Sequence, residues 1–85
     1  MLEISSFPYT CPSDGIIQHQ TFAYKDGGSR LFINGHDVSY QAHSNYYEAQ
    51  TDHFPVKKGD IITINTFYTN FPNGGYFEVY FIPYK

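Results

Sequence analysis

Ile61-Ile62-Thr63-Ile64-Asn65-Thr66-Phe67-Tyr68-Thr69 leads through the turn-rich segment Phe71-Pro72-Asn73-Gly74-Gly75 into Tyr76-Phe77-Glu78-Val79-Tyr80-Phe81-Ile82-Pro83-Tyr84. Both runs are rich in β-branched and aromatic residues, and both alternate with period two, which is the signature of a half-buried strand. In the first run Ile62, Ile64, Thr66 and Tyr68 share one face, opposite Thr63, Asn65 and Phe67. In the second, Phe77, Val79 and Phe81 oppose Tyr76, Glu78, Tyr80 and Ile82. Two such runs joined by a Gly-containing turn predict an antiparallel hairpin. Its inward face should bury Ile62, Ile64, Phe77, Val79 and Phe81.

The same signals extend toward the N-terminus. Residues 16–24 alternate, with Ile17, His19, Thr21 and Ala23 on one side and Ile16, Gln18, Gln20, Phe22 and Tyr24 on the other. Pro12-Ser13-Asp14-Gly15 precedes them as a turn in which Gly15 can take a positive φ. Lys25-Asp26-Gly27-Gly28-Ser29 reads as a tight hairpin, and residues 30–34 as a short strand ending at the turn dipeptide Asn34-Gly35. Residues 2–5 suit an edge strand. Residues 36–55 are the least regular part, with a strand expected near 45–51, and Lys57-Lys58-Gly59-Asp60 is a further turn. No stretch has helical periodicity. Turns every eight to twelve residues predict one all-β domain over residues 1–85, a sandwich or barrel of about seven or eight strands.

A chain of 85 residues buries only about 60% of its unfolded surface, so its core is marginal unless something supplements it. Cys11 is the single cysteine, which excludes an intrachain disulfide and a multi-cysteine zinc site. Nine Tyr and eight Phe stand against two Leu, Leu2 and Leu31. That aromatic excess favours burial between subunits, and an oligomer is expected. The net charge is −3, with five basic residues scattered along the chain, so no nucleic-acid partner is expected. Nothing resembles a membrane span or a secretory leader, and no membrane insertion is expected. Met1 directly before strand-like sequence suggests a start placed at a domain boundary within a longer protein.

Motifs for catalysis are missing: no Gly-x-Ser-x-Gly, Walker loop, Gly-x-Gly-x-x-Gly or His-Glu-x-x-His occurs. Cys11 beside Pro12 at a turn reads as a packed small hydrophobe rather than a nucleophile. His36, Asp37 and His43 could converge on a symmetry axis around a metal, yet their spacing matches no ligand motif, and neither metal nor cofactor is expected. Glu48 and Asp52 could pair as an acid and a base, but nothing near them suggests a pocket that would raise a pKa. The binding signal is the segment 40–47, Tyr-Gln-Ala-His-Ser-Asn-Tyr-Tyr. Tyr40, Tyr46 and Tyr47 offer flat stacking faces, and His43 and Asn45 offer hydrogen-bonding groups, as a sugar requires. The competing reading packs these tyrosines between subunits.

Four stretches carry a family resemblance. Tyr9-Thr10-Cys11-Pro12-Ser13-Asp14-Gly15 is similar to an opening found in C-terminal tip domains of phage tail fibres and receptor-binding proteins. Leu31-Phe32-Ile33-Asn34-Gly35, then Phe54-Pro55-Val56-Lys57-Lys58-Gly59-Asp60-Ile61, and the terminal Phe81-Ile82-Pro83 follow in the same order. That order also resembles jelly-roll domains of the C1q and tumour-necrosis-factor type. The resemblance implies a small jelly-roll β-sandwich that forms a homotrimer and caps an upstream fibre shaft. It implies a virion or otherwise extracellular location, and a non-catalytic role in attachment to a host-surface receptor, with a polysaccharide as the expected partner. The rival expectations are a purely structural trimerisation cap and an enzyme-associated carbohydrate-binding module. The resemblance carries no fixed binding motif, so the tyrosine segment rests on its chemistry alone.

Overall fold

A computed structural model of the chain describes residues 2–23, 27–43, 48–67 and 75–84. The strands are β1 (Leu2–Glu3), β2 (Tyr9–Thr10), β3 (Gly15–Ala23), β4 (Gly27–Ile33), β5 (His36–His43), β6 (Glu48–Val56), β7 (Ile61–Phe67) and β8 (Gly75–Pro83). They form two four-stranded antiparallel sheets, β1-β8-β3-β6 and β2-β7-β4-β5. The pairs β1–β8, β2–β7, β3–β6 and β4–β5 are those of one long hairpin rolled up on itself. Pairing of β3 with β8 and of β4 with β7 then completes each sheet. This is the eight-stranded jelly-roll connection, and the all-β sandwich expected from the turn spacing is the fold observed.

Two expected hairpins are not hairpins. β7 and β8 lie in opposite sheets, as do β3 and β4. Alternation says which side chains point inward; it does not say whether successive strands sit side by side or face to face. Here Ile62 on one sheet and Val79 and Phe81 on the other meet across the sandwich. The segment Asn34-Gly35 does close a true hairpin: both residues take positive φ, 53° and 81°, and Ile33 pairs with His36. That geometry matches a type I′ loop, whose twist suits antiparallel strands.

The inward phase read for the last two strands holds. Ile62, Val79 and Phe81 are buried, and Ile64 and Phe77 are half-buried against them. Ile4, Cys11, Ile17, Leu31 and Val56 complete the apolar core. The rings of Tyr9 and Phe81 lie 6.1 Å apart and those of Phe7 and Phe77 6.5 Å apart, both tilted. Gly15 does not serve a positive φ as expected; it begins β3, and a Cβ there would meet the Ile82 carbonyl oxygen and approach Phe81 Cε1 to 2.9 Å. It is glycine for want of space.

The expectation of an irregular 36–55 segment is wrong, since β5 and β6 are regular strands through most of it. Two features hide their period. Leu31 pairs with Ser39 but Phe32 pairs with Asp37, so Val38 is an extra residue that bulges out of β5. Beyond the bulge the inward positions of β5 are Ser39 and Gln41, and on β6 the inward row turns from apolar at Val56 and Phe54 to polar at Asp52. A search for apolar alternation passes over β5, whose inward side chains here are hydrophilic, and loses β6 where its inward row becomes polar. β2 falls between the edge strand expected at residues 2–5 and the turn at 12–15, where no element was expected, and it is only two residues long.

Candidate functional site

Antiparallel register determines which exposed side chains become neighbours. On the outer face of β2-β7-β4-β5, Tyr40 of β5 pairs with Arg30 of β4, and Arg30 with Asn65 of β7. The adjacent row is Asp37, Phe32 and Thr63. Tyr40 is about half exposed, at 52%. The Arg30 guanidinium sits 4.6 Å from the centroid of the Tyr40 ring and 3.8 Å from Asp37 Oδ2. A cation over an exposed ring is worth about 0.5–1 kcal/mol, and the ion pair less than about 1 kcal/mol at this exposure. Their effect is to orient the guanidinium on a flat face, with an aromatic rim, an amide and a hydroxyl beside it.

Tyr40 is therefore exposed on the sheet, but Arg30 lies over its ring, so it is not the open platform expected. The backbone of His43 belongs to β5, and its side chain lies outside the described residues, as do Asn45, Tyr46 and Tyr47 in full. Arg30, Asn65 and Thr63 were not singled out by the sequence, because only the register brings them to Tyr40.

The other constellations take simpler roles. Cys11 is buried and its thiol pKa is raised, mainly by desolvation and further by Asp60, so it is held protonated and a poor nucleophile. Asp37 is turned to Arg30, and among the described residues no group of three or more His, Cys, Asp or Glu side chains could hold a metal. Asp52 points inward, and its pKa is lowered by hydrogen bonds from Gln41 and then Ser39. That is the opposite of the raised pKa a general acid needs.

The interior holds a polar cluster that sequence reading missed. His19, Thr21, Ser29, Ser39 and Gln41 are all buried. Ser39 donates to Asp52 Oδ2 at 2.7 Å, so its oxygen accepts from His19 Nδ1 at 2.8 Å. That assigns the proton of neutral His19 to Nδ1 and makes Nε2 an acceptor. Ser29 donates to Nε2 at 2.7 Å, and Thr21 donates to Ser29 at 2.6 Å. The hydrogens thus point in one direction, from Thr21 through Ser29, His19 and Ser39 to Asp52. Gln41 Nε2 donates to both Asp52 Oδ2 and the His19 carbonyl, at 2.9 and 3.1 Å, while its buried Oε1 has no partner. Burial pushes the His19 pKa down to about 4. The signal for this cluster was present in the strand alternation: His19 and Thr21 occupy the same inward phase as Ile17.

The Ser39–His19–Asp52 contacts superficially suggest a hydrolase triad, but the order differs. Ser39 gives its hydrogen to the carboxylate instead of to the imidazole, and both Ser39 and His19 are sealed from solvent. A nucleophile needs its base to accept its proton and a substrate to reach it. No protein-family pattern matches the chain, and no curated protein matches it.

Proposed function

We propose that this chain is the trimeric, non-catalytic tip of a phage tail fibre or related viral adhesin, attaching through the Arg30–Tyr40 face to a host-surface polysaccharide. The observation that carries the reading is that face: an oriented guanidinium on an exposed ring, with Asp37, Asn65 and Thr63 in the neighbouring positions. Flat aromatic edges beside fixed donors and acceptors suit sugar hydroxyls and C–H surfaces. A shallow site of this kind binds weakly alone, and three copies on one particle compensate through avidity.

The opposite sheet supports assembly. Register places Ile82, Ile16 and Pro55 in one outward row, and Tyr80, Gln18 and His53 in the next. Glu78, Gln20 and Thr51 follow, and Tyr80 donates to Glu78 at 2.8 Å. With one carboxylate and no lysine or arginine in these three rows, this face suits contact between subunits better than its charged counterpart. Light scattering should give about three times the 9.8 kDa chain mass. Ile16→Asp should break the assembly. Arg30→Ala and Tyr40→Ala should leave assembly unchanged and lower the melting temperature only by several degrees, the cost of about 1 kcal/mol of surface contact, while attachment to host cells is lost. A monomeric parent sinks the trimer, and full attachment by both variants removes the proposed face. If Tyr40→Ala instead weakens the trimer, the tyrosine belongs to a subunit contact, as a structural cap would have it.

A further inference from the structure

We infer a second ligand site, separate from the Arg30–Tyr40 face, in the cleft at the turn end of the sandwich, and assign it to a single neutral sugar ring. The cleft is open, about 310 Å³ in volume, and lined by Asp14, Pro55, Val56, Lys57, Asp60 and Tyr84. It forms where the chain enters β3, leaves β6 for β7, and leaves β8.

The turns around it are tied to one another by hydrogen bonds. Asp14 Oδ1 accepts from the Lys58 amide at 2.9 Å, and the Asp14 carbonyl accepts from the Tyr84 amide at 3.2 Å. Asp60 accepts from the Lys57 amide at 2.8 Å and from Asn34 Nδ2 at 3.0 Å. Cys11 donates to the Asp60 carbonyl and accepts from the Gly59 amide. Gly59, with φ at 92°, allows the tight turn that puts Lys57 and Asp60 together. A wall this constrained is formed before any ligand arrives, which reduces the ordering cost of binding.

The lining chemistry selects the ligand. Tyr84 is an exposed aromatic ring, and Pro55 and Val56 add apolar surface, which suits the C–H faces of a pyranose. Asp14 and Asp60 offer carboxylate acceptors for hydroxyl groups, and Lys57 a donor. The hydrogen bond from the Lys57 amide, then that from Asn34, hold the Asp60 pKa low, so it stays an acceptor. Two carboxylates against one ammonium disfavour an acidic sugar or a phosphate. The ammonium and the apolar walls disfavour a bare cation. The volume lies at the small end of the range for ligand pockets, about 300–1,000 Å³, which suits contact with one ring.

The experiment is a titration of the isotope-labelled chain with the methyl glycosides of glucose, galactose and mannose, followed by amide NMR. At least one should shift the Lys58, Gly59 and Tyr84 amides with millimolar saturation. Tyr84→Ala, an exposed position, should weaken binding by about tenfold or more, a difference of about 1.4 kcal/mol. Tyr40→Ala should leave it unchanged. Methyl glucuronoside and calcium chloride are the controls and should produce no shift there. Absence of saturable shifts with all three glycosides overturns the inference, as does equal binding by Tyr84→Ala or a response to calcium alone. Shifts confined to Arg30 and Tyr40 also overturn it. Failure here leaves the Arg30–Tyr40 reading intact, because cell attachment tests that face through different variants.

Discussion

Acidification from pH 7 to pH 5 should destabilise this fold through one side chain, His19. Its pKa falls from the usual 6.5 to about 4, because burial penalises the imidazolium more than nearby Asp52 favours it. Below pH 6.5 the unfolded chain takes up a proton that the folded chain refuses. Stability therefore decreases as pH falls through 6.5 and continues to decrease until about pH 4, where the folded protein also binds the proton. Linkage puts the loss at about 2 kcal/mol between pH 7 and pH 5, and about 3 kcal/mol by pH 4. For a chain of this length 2 kcal/mol lowers the melting temperature by roughly 8–16 °C. Asp52 acts in the same direction, since its lowered pKa adds stability that disappears only as pH falls below about 4. The window from pH 7 to 5 thus isolates the histidine. Urea unfolding at pH 7, 6 and 5, at fixed protein concentration, measures it for the parent and for His19→Gln. The variant should start about 1–3 kcal/mol less stable, because Ser29 and Ser39 lose a buried partner. It should then lose far less than the parent on acidification. A variant that loses as much as the parent refutes the assignment, and so does a parent whose stability is flat to pH 5.

Two further substitutions probe the sandwich itself. Phe81→Ala removes a buried ring packed on Tyr9 and should cost about 3–5 kcal/mol by denaturant unfolding, whereas half-buried Phe77→Ala should cost less; equal costs would contradict the burial pattern. Gly15→Ala drives a methyl group into β8, at the Ile82 carbonyl and the Phe81 ring, and should cost about 1–3 kcal/mol. Unchanged melting of that variant would place β3 and β8 in a different register.

The strands were legible wherever the inward side chains are apolar. Ile17 on β3, Ile62 and Ile64 on β7, and Val79 and Phe81 on β8 reveal both element and phase, and Asn34-Gly35 reveals its turn. Partner choice was not legible, because β7 could pair with β8 or face it with the same side chains inward. β5 and β6 were obscured by the Val38 bulge and by Ser39, Gln41 and Asp52 at inward positions. Of the candidate site, Tyr40 was visible as an aromatic in a polar stretch. Its companions Arg30 and Asn65 come from strands ten and twenty-five residues away and become neighbours only through pairing. The His19 cluster was hidden for a different reason: a lone histidine on an alternating strand carries no sign of whether its partners are solvent or hydroxyls.

The bulge and the inward carboxylate also bear on how densely such chains can be packed together. β5 and β6 are the outermost strands of their sheets, each long enough to act as a template for a strand from another molecule. Exposed edges of that length invite runaway polymerisation into cross-β aggregates. Val38 breaks the regular ladder along β5, and Pro55 withholds an amide hydrogen along β6. A strand added beside β6 would also have to cover Asp52, whose charge would then be cut off from water. An edge interrupted by a bulge, a proline and an inward charge is a poor template for fibrillar growth.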